Sequence, residues 1–370
     1  MSCRAKSRHL SALALVIAGL TVNLLAGCAA SEIREEPREV TLRPVTSLQR
    51  GDLYDDSGDE APATEAARAD TFTPATKADP ELDGNTLVKL PPSTDPTYPI
   101  NPYVVYVSAS SVQHPLFLSD QLFSYIHAGN VWESSSANGT ADPIYWPVPE
   151  TLDFLGLACK PEARTALGAS IEWDSTTAAN GFTITDWDVY EQQYDIMYGA
   201  ANNKRQSDNA GIVDMEFLHS CALVCFTAKS TVAGVVTIHG ITLNGLGYKG
   251  TFTVDNTRTD LVGSFGTLTA GDKVVYGLDG TNADYNFAVP ATATKFTQNL
   301  LVPQQPAKSI TLSYTTPGVP VPLDLQIHIP RTNWKAGYKY TYALDFTMHE
   351  IKLTEEVSDW PTDPDHEITL

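Results

Sequence analysis

A chain of 370 residues that is 42% hydrophobic carries enough apolar material for a sizeable core, and at about 150 residues per domain it suggests two domains plus a spacer. Its 44 acidic against 24 basic residues give a net charge of −20 at pH 7, which argues against nucleic acid as a partner, because phosphate binding is driven by Lys and Arg. The acidity reads as solubility on a crowded surface.

The first element in chain order is an export signal over residues 1–27. Arg4, Lys6 and Arg8 form a basic start, Leu10 to Leu20 an apolar stretch, and Ala26 and Gly27 a small-residue cleavage zone. A membrane-spanning helix fits poorly, since it needs about 20 apolar residues and this run is broken by Thr21 and Asn23 without a basic stop-transfer flank. Leu25-Ala26-Gly27-Cys28 resembles the lipobox of bacterial lipoproteins, which implies cleavage between Gly27 and Cys28 and acylation of the cysteine. One acyl chain holds a protein to a membrane only marginally while two hold it firmly, so Cys28 is expected to be a tether to outer-membrane lipid. Glu32, Glu35 and Glu36 resemble the acidic surface-export signal of Bacteroidota lipoproteins. Loss of the leader, with three basic and no acidic residues, takes the net charge from −20 to −23.

Residues 28–99 form the lipidated start, a short first strand and an acidic linker or loop. In "EVTLRPVTSLQ", Val40, Leu42, Val45 and Leu48 mark a strand interrupted at Pro44. From Arg50 to Pro99 the composition is dominated by Asp, Glu, Ala, Thr and Pro, with too little apolar content to offset the entropy of ordering.

Beyond residue 100 the pattern is β throughout. "YVVYV", "GFTITDWDVY", "VVTIHGITL", "SITLSY" and "LDLQIHI" recur between Gly, Pro, Asn and Asp clusters. Leu323, Leu325, Ile327 and Ile329 alternate with Asp324, Gln326 and His328, so one face is expected to be packed and the other solvated. From Tyr338 to Met348 the apolar residues share one parity, and Ile351 and Leu353 take the other, which predicts a bulge or bend near His349 and Glu350. The same flip occurs at Gly240. Long bent strands with many short partners suit a β-sandwich rather than a barrel with a wet lumen.

Catalytic spacing is missing. "HEIKL" and "HEITL" lack the second histidine of a zinc-protease helix, "GSFG" lacks the spacing of a nucleophile elbow, and "DLYDDSGDE" fails as an EF-hand. No metal, cofactor or enzymatic activity is expected. Cys221 and Cys225 on one strand would stand about 13 Å apart, too far to bond, so with Cys159 they are expected as free buried thiols. His219 is expected to be a hydrogen-bonded core residue, and the six tryptophans to fill the core.

Six segments, "PIYWP", "YEQQYDIMYG", "VDMEFLHSCALVCFTAK", "VVTIHGITLNG", "LLVPQQPAKSITLSY" and "WKAGYKYTYALDFTMHEIKLTEEVSDW", resemble in order the fimbrillin-like proteins of Bacteroidota over about residues 100–360. The resemblance implies an all-β fold of two tandem transthyretin-like Greek-key sandwiches, here 100–211 and 212–370, and a lipoprotein of the outer membrane and cell surface that assembles into a fimbrium. It also implies that an arginine-specific or trypsin-like protease removes the first strand, and that a strand of the next subunit fills the groove. By position the removable strand holds Val40, Leu42, Val45 and Leu48, and the cut falls at Arg50 or Arg68. Partners would be other fimbrial subunits and a host or bacterial surface ligand. A reading of another class is a surface glycan-binding lipoprotein for nutrient uptake, which would share lipobox, spacer and sandwiches.

Overall fold

A computed structural model describes residues 38–46, 104–126, 131–135, 142–277, 286–297, 299–329 and 333–359. Gly27, Cys28, Leu48, Arg50, Arg68, the acidic segment and Trp360 lie outside these residues, and of Val45 only the backbone is described. In chain order the strands are β1 (Thr41–Thr46), β2 (Val104–Ser110), β3 (Leu118–Ile126), β4 (Val131–Ser134), β5 (Leu152–Cys159), β6 (Ile171–Trp173), β7 (Gly181–Asp188), β8 (Met197–Lys204), β9 (Ile212–His219) and β10 (Ala222–Ser230). They continue as β11 (Thr237–Asp255), β12 (Val262–Phe265), β13 (Thr269–Gly277), β14 (Phe287–Ala288), β15 (Thr294–Lys295), β16 (Leu300–Val302), β17 (Ser309–Thr316), β18 (Val319–His328), β19 (Tyr338–Phe346) and β20 (Ile351–Asp359). Apart from short 3-10 turns, the helical content of the described residues is α1, Pro161–Leu167, which starts with proline at its first position, where the missing N–H costs nothing.

Seven strands form a sheet that closes on itself in the order β1-β4-β3-β2-β5-β8-β9. An open sandwich was the expectation for this half; the closed ring arises because β1 runs parallel to β9 and antiparallel to β4, bridging two edges that would otherwise stay open. The interior is packed: Val105, Phe123, Trp132, Phe154, Met215 and Phe217 fill it. Leu155, Leu157 and Cys159, on the opposite face of β5, enter a second apolar cluster with Trp187, Ile184 and Phe252. Burial on both faces explains why "LDFLGLAC" reads as a continuous apolar run and not an alternating one.

In the rest of the chain a five-stranded sheet, with β10 and β19 at its centre and β20 at an edge, packs on an eight-stranded sheet ordered β18-β17-β11-β7-β6, with β12, β13 and β14 also on β11. Phe226, Tyr340 and Tyr342 from the first meet Ile241, Ile310 and Leu312 from the second. Trp334 donates its indole N–H to Tyr342 Oη (2.9 Å), which satisfies a polar tip inside that core. Strand β11 is the long member: its first residues pair with β17 and its last with β7. Strand β9, the opening segment of the expected second domain, pairs within the closed sheet.

Register is irregular on both sides of β11 around Gly240, where the parity flips. At His349 and Glu350 the flip has another cause: the chain reverses through a tight turn, closed by Thr347 N–H donating to Glu350 O (2.9 Å), and β20 returns alongside β19. The turn also rules out a helix at "HEIKL". Strand β18 departs from its expected packed face. It is an edge strand whose apolar residues Val319, Val321 and Leu323 are exposed, burial being regained only towards Ile329.

Cys159, Cys221 and Cys225 are buried and unbonded, and burial pushes the Cys159 thiol up to about 12. His219 Nδ1 lies 3.0 Å from Asp195 Oδ1 with both side chains buried, and Trp132, Trp146, Trp187 and Trp334 are core residues.

Candidate functional site

The strand that closes the ring holds two of the residues singled out in the sequence, Val40 and Leu42. Val40 and Leu42 point inward and are fully buried among Trp132, Val213, Met215 and Phe217. Period-two alternation turns Arg43 outward, where its guanidinium forks onto Asp214 of β9, Nε to Oδ1 at 2.5 Å and Nη2 to Oδ2 at 3.0 Å. Asn209 Nδ2 donates to the same Oδ2 (3.1 Å). Upstream of β1, Trp146 N–H donates to Arg38 O (3.0 Å) and Val40 N–H to Ile144 O (2.7 Å), which pins the start of the strand to the β4–β5 connection.

Strand β1 faces β9 along all six residues, Thr41 opposite Ile212 through Thr46 opposite Phe217, but among the described residues faces β4 only at Thr41 and Leu42. This one-sidedness explains why β1 runs on through Pro44 where an interruption was expected. Among the described residues β9 is the strand paired with residues 43–46, and a proline is tolerated at a strand edge. Two features of the neighbours make the seat. Asn209, Ala210 and Gly211 have consecutive positive φ values of 41°, 57° and 91°, a sharp turn that launches β9 beside Trp146, whose indole N–H donates to Gly211 O (3.3 Å). Gly156 lets Met215 and Phe217 reach the barrel axis, since a Cβ there would lie 2.6 Å from Met215 Sδ.

Magnitudes decide what holds β1. Full burial of an aliphatic side chain is worth about 1.5–3 kcal/mol, so Val40 and Leu42 outweigh the Arg43–Asp214 pair, whose side chains are 30% and 45% exposed and which is worth below about 1 kcal/mol. Electrostatics at the start of the strand works against seating. Burial, and then the Glu133 carboxylate on β4, raise the Glu39 pKa. A raised carboxyl pKa means that stability present below the ordinary glutamate value of about 4.3 is lost as pH rises through the folded-state value. Glu39→Gln is therefore expected to raise the urea midpoint at pH 7 while leaving it unchanged at pH 3.5; equal midpoints for the two proteins at pH 7 would remove Glu39 as a strained group.

Of the residues singled out in the sequence, the structure brings Val40 and Leu42 together with β9. Arg43, Asp214, Glu39 and Glu133 were missed, because nothing local marks a contact between residues 171 positions apart, as Arg43 and Asp214 are. Among the described residues no group of three or more His, Cys, Asp or Glu is placed to hold a metal ion.

The family model described as fimbrillin-like matches residues 102–360. Among solved structures, a fimbrial protein from Bacteroides vulgatus aligns with a TM-score of 0.47 at 13% identity over 70% of this chain and 92% of that one. The tip fimbrial protein Mfa3 from Porphyromonas gingivalis, with C-terminal truncation, aligns with a TM-score of 0.36 at 11% identity over 70% of this chain and 94% of that one. A fimbrial assembly protein from Parabacteroides distasonis gives a TM-score of 0.35 at 10% identity, over 88% of this chain and 99% of that one. No curated protein matches. The family match takes in every strand from β2 to β20, and on that span the chain belongs to the fimbrillin-like family.

Proposed function

We propose that this chain is a subunit of a cell-surface fimbrium that joins its neighbours by exchange of β1. The carrying observation is the seam: among the described residues β1 is the strand that joins β4 to β9 and closes the sheet. Withdrawal of β1 would leave two rows of backbone N–H and C=O groups around a slot that Val40 and Leu42 had filled. An incoming strand with apolar residues at alternate positions satisfies both. A donor drawn from the C-terminal hairpin would be β20, which sits at a sheet edge, whereas β19 is central and carries core side chains.

Processing fits the same scheme. Arg43 lies inside β1 but precedes Pro44, whose imide nitrogen makes a poor site for trypsin-like cleavage, so a cut that frees the strand intact falls later, at Arg50 in preference to Arg68. In this reading Cys28 is the lipid anchor in the outer membrane, and the chain is built as tandem transthyretin-like sandwiches, the first closed by β1. A stalk, anchor or tip position and an adhesion ligand are compatible with it. It involves no catalysis.

The test is the amino terminus and mass of the protein recovered from cells, together with gels run in mild denaturant. Processing gives a start at Gly51 or Ala69 and denaturant-resistant ladders. Cys28→Ala is expected to release the chain from membranes and abolish processing, and Arg50→Ala combined with Arg68→Ala to leave the leader strand attached. Ladders from the doubly substituted chain as strong as from the unaltered one would sink the exchange scheme.

A further inference from the structure

Four large apolar side chains stand exposed on two neighbouring loops at one end of the closed sheet: Val112 and Leu116 on the loop after β2, Tyr145 and Val148 on the connection from β4 to β5. Scattered singly they would need no account, but these loops form one surface. Ser111 Oγ donates to the Glu150 carboxylate, His114 Nδ1 lies 3.0 Å from Glu150 Oε2, and Glu150 N–H donates to Pro147 O (2.8 Å). Both loops are braced from behind, Phe117 and Ile144 packing on the ring core and Ala178 N–H donating to Pro115 O (2.8 Å). The patch is therefore held in shape before anything meets it, which spares the cost of ordering loops on contact.

The chain enters the fold beside this patch. Glu39 forms a β-bridge with Tyr145, and Arg38 O accepts the Trp146 N–H. Cys28 stands ten positions before Arg38 in the sequence, a length that spans at most about 36 Å. Charge narrows the kind of surface that fits. Glu39, Glu133, Asp142 and Glu150 lie around the patch, close to Arg38 and Arg205. Hydrogen bonds from Ser111, and then His114, hold the Glu150 carboxyl below its ordinary range, so it is ionised at neutral pH. An acidic rim on a chain of net charge −20 disfavours an anionic surface and leaves a zwitterionic one.

We infer that this patch is a membrane-docking surface that rests on zwitterionic lipid of the bilayer to which Cys28 is tethered. The inference deepens the fimbrial reading and takes the tether at Cys28 from it. The side chains suit a bilayer boundary: aliphatic residues enter the acyl region while Tyr145 keeps its hydroxyl among the headgroups. Four such side chains offer on the order of 300 Å² of apolar surface, too little to hold a protein alone. A short tether makes the encounter intramolecular, and the contact then closes. Strand β1 starts at this end and runs about 20 Å to Thr46, so docking turns the outgoing end of the strand away from the lipid. Loss of β1 together with the tether would release the patch.

The test uses the chain beginning at Cys28, which retains every described residue, coupled at low surface density through the Cys28 thiol to a maleimide lipid in phosphatidylcholine vesicles. The described native thiols are buried, which directs coupling to Cys28. The tether is then present whether or not cells acylate that residue, which membrane release of Cys28→Ala tests separately. Amide exchange in residues 111–117 and 143–149 should be at least threefold slower on vesicles than in the free chain, with residues 319–325 unchanged. Val112→Asp combined with Leu116→Asp, both at exposed positions, should abolish the slowing while the chain stays coupled and its denaturation midpoint is kept. Replacing part of the lipid by phosphatidylglycerol should weaken the slowing at low salt, and added salt should restore it by screening. Equal exchange on vesicles and in solution, slowing that survives the two aspartates, or slowing that extends equally to residues 319–325 would overturn the inference.

Discussion

Leu42→Ala is expected to destabilise the seam by about 2–5 kcal/mol, the range for emptying a fully buried leucine site. Native domains hold only about 5–15 kcal/mol in total, so a loss of this size changes behaviour as well as a midpoint. Leu42 lies opposite Trp132 on β4 and Val213 on β9, and its removal loosens β1 on both sides at once. Because β1 has a full-length ladder with β9 alone, opening should be local before it is global. Amide exchange in residues 41–46 and 212–217 should rise ahead of exchange in β10 and β19. Arg43→Ala removes an exposed pair and should cost below about 1 kcal/mol by the same measures. If Leu42→Ala left both the denaturation midpoint and the exchange of β1 within the range of Arg43→Ala, apolar burial would not be what seats the strand.

The contrast between those two residues shows what could be read in advance. Alternation in β19, with Tyr338, Tyr340, Tyr342, Leu344 and Phe346 inward, was legible because burial on one face leaves a period-two record. The strand character of residues 40–42 was legible for the same reason. Closure of the first sheet was not, since it depends on a parallel pairing between β1 and a strand more than 160 residues later, and pairing partners leave no local signature. The turn at residues 347–350 was mistaken for a bend in one strand because both produce the same parity switch. Strand β18 misled in the opposite direction: its alternation is clear, but it is an edge strand, and Val319, Val321 and Leu323 at its start are exposed.

Glycine positions offer the sharpest test of the seat itself. Gly199 of β8 stands opposite Phe217, and a Cβ added there would press on the backbone carbonyl of Glu216 in β9. A side-chain tip can swing away; a carbonyl in a ladder moves only if the strands separate. Gly199→Ala is therefore expected to cost about 3 kcal/mol or more, the upper end for overpacking, and to tilt β9 away from β8. Since β9 is the full-length partner of β1, the substitution should also weaken the seam from the side opposite β4, giving faster exchange at residues 41–46 without touching any β1 side chain. Gly168, in the helical region after α1, is the matched control. Its φ of −52° suits any residue and a Cβ there would meet nothing within 4 Å, so Gly168→Ala should be neutral or stabilising by up to about 1 kcal/mol. Urea denaturation of the two variants side by side decides the point. If Gly199→Ala matched Gly168→Ala, the β8–β9 spacing would have slack, and the seat of β1 could not depend on it.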